Sequence, residues 1–439
     1  MKKFFTLLLL ASTLFACKEK KTGNISDINA ADVLHQNEDN LTKLIIYDVF
    51  TPPVASRIYA YASLASYEAI RYEKPEYESL TAQLRAFDPM PEPEKGKDYN
   101  FTLAATQAFF TIARKVTFSV DSLKNYEDGL HARFKNALDD STYARSVDFG
   151  DKIAKVIAKR LVADNYLQTR GKPKFLGSED PGKWRPTAPD YLDGVEYCWG
   201  TMKTFALDSS AQITLAPPPP YSKDKSSAYF KQNLEVYEQS QSLSQEQKDI
   251  AKYWDDNPFV LEHAGHMTFA NKKITPGGHW IGITAIACKK TNADAVKTAQ
   301  AYALTSVAMF DAFICCWNTK YETSYIRPVS VINEEIDKNW LPRLQTPPFP
   351  EYPSGHSTIT RSAAVMLTHL FGDNFSFQDT SDLKYIGMKR NFTSFVQAAD
   401  EASVSRFYGG IHYRNSIDQG ANQGKRVSEF ILSKLKLKK

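Results

Sequence analysis

Three short stretches in the last third of the 439-residue chain hold the side chains with the most chemistry in them. CWNTKYETSYIRPVS carries Lys320 and Arg327, PPFPEYPSGHST carries Ser354, Gly355 and His356, and SRFYGGIHYRNSID carries Arg406 and His412. Three cations, one hydroxyl, one unhindered backbone amide and two imidazoles are the parts of a closed pocket for a tetrahedral oxyanion. Guanidinium forks and a lysine neutralise oxygens. Ser354 and the Gly355 amide add hydrogen bonds. His412, as neutral imidazole, can reach the central atom, as a nucleophile or as a ligand. His356 is left to move protons on the opposite side.

Spacing says how these groups are to be presented. Lys320 and Arg327 are seven residues apart, two helical turns, which predicts both on one helix face with Pro328 ending the helix behind them. Tyr352-Pro353-Ser354-Gly355-His356 reads as a turn feeding a helix, because Ile359, Ala363, Met366, Leu367 and Leu370 follow at helical spacing. Ser354 then caps a helix whose free amides and positive dipole end favour an anion, and Gly355 allows close approach. Arg406 and His412 are six apart and fall on different helix faces, so Gly409-Gly410 predicts a break, with His412 opening a new helix. Each segment alone has an ordinary explanation: a solvated charged face, a plain serine cap, a satisfied histidine. Their joint occurrence argues for a site.

The elements needed to position these groups are helical. Apolar periodicity predicts a helix starting at Pro52-Pro53 and others over 101–116, 121–138, 146–164, 227–241, 245–255, 280–289 and 293–313. Thr275-Pro276-Gly277-Gly278 reads as a turn. Strict alternation is almost absent, so the fold class is all-α, a bundle with its site between facing helices. Residues 172–223 break the pattern. They are proline-rich, with Pro217–Pro220, yet contain Trp184, Trp199 and Phe205, anchors that a linker would not need. They read as a long irregular excursion packed over a site.

Bulk composition excludes several classes. Hydrophobic content of 43% with 24% charged residues is that of a globular chain. A net charge of +4 without a basic block gives no footing for nucleic acid. Lys2-Lys3, the apolar run from Phe4 and the small residues before Cys17 form a lipoprotein-type export signal, with Cys17 as the lipidated residue. The expected organisation is a signal over 1–16, a flexible tether over 17–41, and one helical domain over 42–439 with the anion-site core at about 293–435. Such a protein is exported and held at a membrane by lipid alone, periplasmic or outward-facing. Residues 301–316 are the most apolar later stretch, but contain Asp311. Cys198, Cys288, Cys315 and Cys316 lack zinc-type spacing.

The ordered set Lys320…Arg327-Pro328, Pro353-Ser354-Gly355-His356 and Ser405-Arg406…His412 resembles the superfamily that joins vanadium-dependent haloperoxidases with type-2 phosphatidic acid phosphatases. Trp317 and Phe349 match aromatic positions on the halide side of the haloperoxidase branch. The Gly182–Thr187 and Trp199-Gly200 stretches are similar to the module that precedes the site in bacterial members, most like flavobacterial iodide-oxidising peroxidases. The resemblance implies vanadate held by Lys320, Arg327, Ser354, Gly355 and Arg406, one bond from His412 to vanadium, and His356 assisting hydrogen peroxide. The substrates implied are peroxide and a halide, iodide preferred and bromide second. The alternatives are an exported acid phosphatase forming a phosphohistidine at His412, and a non-catalytic surface lipoprotein. One position departs from the pattern. The superfamily usually has Asp four residues after the last histidine, where this chain has Ser416, with Asp418 two further on.

Overall fold

The computed structural model describes residues 23–258, 260–264, 266–270 and 272–439. Cys17 and the expected signal lie outside the described residues. Among the described residues there are fifteen α-helices and two small antiparallel hairpins, Leu261–Ala264 with Met267–Ala270 and Phe377–Asp379 with Arg390–Phe392.

One helix organises the rest. Helix α10, Ala295–Thr323, is capped by the Asp294 carboxylate, which accepts from the Lys297 amide, and ended by Ser324 in the left-handed region at φ 47°. It is long and apolar enough to cross a membrane, but the whole apolar stretch is buried inside the protein. A helix apolar all round is a core helix when other elements enclose it. Helix α10 packs on one side against α2 (Pro52–Ile70), behind which lie α3 (Phe101–Val116) and α5 (Asp140–Val162), and on the other against α9 (Pro276–Lys290), α12 (Gly355–Phe371) and α15 (Arg414–Lys434), with α14 (Phe395–Tyr408) packed on α12.

Several expectations shift. The residues expected as tether up to position 41 instead enter α1, Ala30–Tyr47, capped by Asn29 and burying Val33, Leu34, Leu41 and Ile45. Polar residues dominate its sequence, and its apolar stripe is too sparse to announce a helix. Thr275-Pro276-Gly277-Gly278 is the cap and first turn of α9 rather than a free turn: the Thr275 hydroxyl accepts from the Gly278 amide, and proline suits a first helical turn. Helix α5 begins six residues before its expected start, at Asp140, behind an Asp139 cap.

The proline-rich excursion is packed as expected. Trp184, Trp199 and Phe205 are fully buried. Its anchor is Asp311 on α10, also fully buried, whose carboxylate accepts from the amides of Phe205 at 2.7 Å, Ala206 at 2.8 Å and Leu207 at 3.2 Å. Further on, the Trp317 Nε1–H donates to the Val195 carbonyl at 3.1 Å, and the Trp184 amide donates to the Ser324 carbonyl at 2.7 Å. The excursion therefore fixes both the end of α10 and the connection that follows it.

Helices α12 and α15 approach almost backbone to backbone. A Cβ at Gly420 would lie 2.6 Å from the Ser354 carbonyl oxygen, and one at Gly424 would lie 2.0 Å from that of Thr358. Only glycine permits either contact.

Helix α1 buries Glu38, 3% exposed, with one oxygen accepting from Ser63 at 2.6 Å and the other without a hydrogen-bond partner among the described residues. Burial pushes this carboxyl from 4.5 up to about 8, against the lowering by Ser63. The folded value is the raised one, so the group costs stability as pH rises from 4.5 to about 8. Glu38→Gln removes that cost. The stability of the variant relative to the parent should grow by about 1.4 kcal/mol per pH unit across this window. Urea unfolding at pH 5, 6.5 and 8 would check it, and a difference flat with pH would refute it.

Candidate oxyanion site

The three segments meet at one pocket of about 440 Å³, lined by Gly355, His356, Arg406 and His412 together with Trp317 and Phe349. Lys320, Arg327 and Ser354 are fully buried behind it.

Lys320 lies in the last turn of α10, but Arg327 does not share its helix. Ser324 ends α10, and Arg327 takes the N-cap position of α11, Pro328–Glu335, with extended backbone. The two cations converge because the chain reverses between them. Arg327 Nε donates to the Phe349 carbonyl at 3.0 Å and Nη1 to the Ile411 carbonyl at 2.8 Å. Lys320 Nζ donates to the carbonyls of Pro350 at 2.9 Å, Glu351 at 3.0 Å and Pro353 at 2.5 Å. It thus fastens the segment leading into Ser354 and contributes its charge to the pocket. Burial, then the Arg327 charge, holds its ammonium below the usual lysine range, while Cys316 and Glu351 oppose the shift and the three carbonyl acceptors keep it protonated. The Phe349 ring sits beneath both cations, 5.1 Å from Lys320 Nζ and 5.2 Å from the Arg327 guanidinium carbon. Trp317 stands beside it, ring centroids 5.0 Å apart.

Ser354 is the N-cap of α12, as its position before the apolar repeat predicts. Its Oγ accepts from the Ser357 hydroxyl at 3.0 Å and from the Ser357 amide at 3.4 Å. Its own proton is therefore the one it can give. At Gly355 a Cβ would meet Trp317 at 3.5 Å and Lys320 at 3.8 Å, filling this corner of the pocket. Arg406 lies in the last turn of α14, held by Ser405 Oγ at 3.0 Å from Nε and by the Trp254 carbonyl, which accepts from Nη2. The break falls at Gly409-Gly410 as the glycines predict, with Gly410 at φ +75°. His412 does not open the next helix; it sits two residues before α15, in the turn.

Two contacts fix the tautomer of His412. Its Nδ1 is 2.7 Å from Glu351 Oε1, so Nδ1–H donates to the carboxylate. Arg327 Nη1 donates toward Nε2 at 3.2 Å, which leaves the Nε2 lone pair as the acceptor facing the cations. Burial first, then Arg327, Lys320, Arg406 and His356, holds the ring well below the usual histidine range. Burial also holds His356 well below that range, with Arg406 and His279 adding to it. Both imidazoles are neutral at neutral pH. His356 Nε2 has no hydrogen-bond partner among the described residues and lies 4.0 Å from Asp256 Oδ2. Behind Asp256, His279 is enclosed, 3.2 Å from each Asp256 oxygen on one nitrogen and 2.9 Å from Asp379 Oδ2 on the other, with Trp254 stacked on its ring.

Glu351 is the residue that reading the sequence missed. Fully buried, it accepts from His412, from the Tyr413 amide at 3.0 Å and from the Ser416 hydroxyl at 2.5 Å. Burial pushes its carboxyl above the usual carboxylate range, while Ser416, Arg327 and the Tyr413 amide pull it back. The signal available in the sequence was a lone glutamate in a run of prolines and aromatics, PPFPEYPSG, where nothing else would require an acid. Asp418 lies on α15, where the charges beside it are Arg414 and Glu235 rather than His412. The four cysteines among the described residues are free.

The donor set fits vanadate or phosphate. Three cations, a hydroxyl with a proton to give, the start of a seventeen-residue helix and a corner kept open at Gly355 answer to oxygens. A neutral imidazole with its lone pair displayed answers to an electron-poor central atom.

Taken together, a helical fold and a cationic pocket with an imidazole at its edge define an all-α protein built around a tetrahedral oxyanion. Residues 300–437 match the model of the second helical-bundle domain of vanadium chloroperoxidases. The chain is similar to the vanadium chloroperoxidase of Curvularia inaequalis, at 39% identity over 26% of this chain and 27% of that protein. It is also similar to the crystal structure of a bacterial vanadium-dependent iodoperoxidase, at 44% identity and a TM-score of 0.88, over 93% of this chain and 98% of that one. A holo-type bacterial vanadium-dependent chloroperoxidase shares the fold at 16% identity and a TM-score of 0.71, over 90% of this chain and 96% of that one. The chain belongs to the vanadium haloperoxidase family. It spans about a quarter of the length of its curated fungal relative.

Proposed function

We propose that the protein is a vanadate-dependent haloperoxidase that oxidises halide, iodide first, with hydrogen peroxide to a hypohalous species. The observation that carries this is the lone pair of neutral His412, aimed among Arg327, Lys320 and Arg406 in a pocket lined by the Trp317 and Phe349 rings. The iodoperoxidase likeness over nearly the whole chain supports iodide as the halide.

Vanadate, when bound, supplies a Lewis-acidic centre that activates peroxide toward a halide without itself changing oxidation state. Lys320, Arg327 and Arg406 hold its oxygens by charge, with Ser354 Oγ and the Gly355 amide as hydrogen-bond donors. His412 Nε2 supplies the bond to the central atom. His356, neutral and with Nε2 unpartnered, takes the proton that incoming peroxide must lose. Trp317 and Phe349 give the halide an apolar approach and shield it from bulk water.

The test separates this reading from a phosphatase. Iodide oxidation should appear when orthovanadate is added to the metal-free protein and be absent without it. Phosphate-ester hydrolysis that vanadate suppresses, with no iodide oxidation gained, would overturn the proposal.

A further inference from the structure

We infer that Glu351 is the positioning residue for His412, taking over from another segment the place that an aspartate four residues after the histidine would fill, with Ser416 as its matched partner. This rests on the functional reading above, in which His412 bonds to vanadium.

The geometry is specific. An acid at 416 would start one helical turn beyond the ring and reach back to it. In this chain position 416 carries a hydroxyl instead, and that hydroxyl donates to Glu351 Oε2 at 2.5 Å, while Oε1 receives Nδ1–H of His412 at 2.7 Å and the Tyr413 amide at 3.0 Å. Both carboxylate oxygens are therefore committed to the turn that carries the imidazole. A second acid at 416 would face the first at hydrogen-bond distance in a fully buried space, so only one of the two could stay ionised, and a hydroxyl at 416 leaves the charge on Glu351. Glu351 is itself held in place, because Lys320 Nζ donates to its carbonyl and to those of Pro350 and Pro353, the residue preceding Ser354. The carboxylate that aims the imidazole and the serine that caps α12 thus belong to one tethered stretch of chain.

A carboxylate behind an imidazole fixes the tautomer and makes the opposite nitrogen a better donor. Three roles for Glu351 then predict three different results. If it strengthens the donor, Glu351→Gln weakens vanadate, which needs the imidazole bond, but not inorganic phosphate, which is held by charge and hydrogen bonds alone. If it acts only as a negative charge near the pocket, its removal tightens both anions. If it only holds the fold together, both weaken.

The experiment is titration of metal-free Glu351→Gln with orthovanadate and, separately, with phosphate, followed by vanadium-51 NMR and calorimetry, with thermal unfolding as the check on folding. Glutamine preserves the shape and can keep bonds to Tyr413, Ser416 and His412. The expected result is vanadate weakened about 10- to 100-fold with phosphate binding no weaker. Adding Ser416→Asp to that variant returns a carboxylate to the turn and should recover most of the vanadate affinity. Unchanged vanadate affinity, a parallel loss or gain for both anions, or a folded double variant that stays weak each overturns the inference. Failure of the functional reading would look different: the unaltered protein, with orthovanadate bound, would oxidise no iodide.

Discussion

His412→Ala should bind orthovanadate at least about 100-fold more weakly than the parent protein and lose halide oxidation with it, since loss of even a ligand's supporting partner costs 10- to 100-fold. The argument turns on what the ring alone provides. Charge in the pocket comes from Lys320, Arg327 and Arg406, and hydrogen bonds come from Ser354 and the start of α12. All of these survive the substitution. The lone pair at Nε2 does not, and no other unprotonated nitrogen of the three segments is similarly placed against Arg327. Inorganic phosphate should therefore bind to the variant nearly as before. The fold should also persist, because the deleted ring makes its contacts to polar partners at a cavity edge rather than within the main apolar core. Titration with both anions and an iodide-oxidation assay check the outcome. Vanadate bound within a few-fold of the parent value would remove the basis for treating His412 as the ligand.

The largest loss of stability is expected from Asp311→Ala. The carboxylate is fully buried on α10 and satisfies three consecutive backbone amides of the excursion, at Phe205, Ala206 and Leu207. Alanine leaves the buried N–H groups of Phe205 and Leu207 without their acceptor, at about 1–3 kcal/mol each, and exposes the half-buried one of Ala206 to a smaller cost, so the loss should fall between about 2 and 6 kcal/mol. Asparagine should not rescue fully, since it turns an amide donor toward one of the same N–H groups. Chemical denaturation of both variants measures this, and a loss below about 1 kcal/mol would show that the amides find other partners. The site should feel the change, because the same excursion presents Val195 to the indole of Trp317.

Much of this was legible in the sequence, for physical reasons that differ from place to place. The cap at Ser354 and the break at Gly409-Gly410 were readable because caps and glycine pairs act locally. Long helices such as α3 were readable because their apolar stripe is strong. Lys320 and Arg327 were grouped correctly on an incorrect ground: their separation suggested one helix, whereas a left-handed Ser324 and an extended Arg327 bring them together. Helix α1 was invisible because its stability comes from tertiary burial of a sparse stripe rather than from its own composition. Ser416 stands where the resemblance leads one to expect an aspartate. The compensating acid lies 65 residues earlier, and no local pattern could connect the two.

The close passage of α12 and α15 at Gly420 and Gly424 has a mechanical result. With glycine at the two closest points and the Ser362 and Ser428 hydroxyls joined at 2.9 Å between the same helices, the pair is tied along its length, from the serine at the head of one to the turn that carries the imidazole just ahead of the other. An opening framed by so close a pair should discriminate among incoming anions by size, tetrahedral oxyanions of larger radius binding more weakly than vanadate.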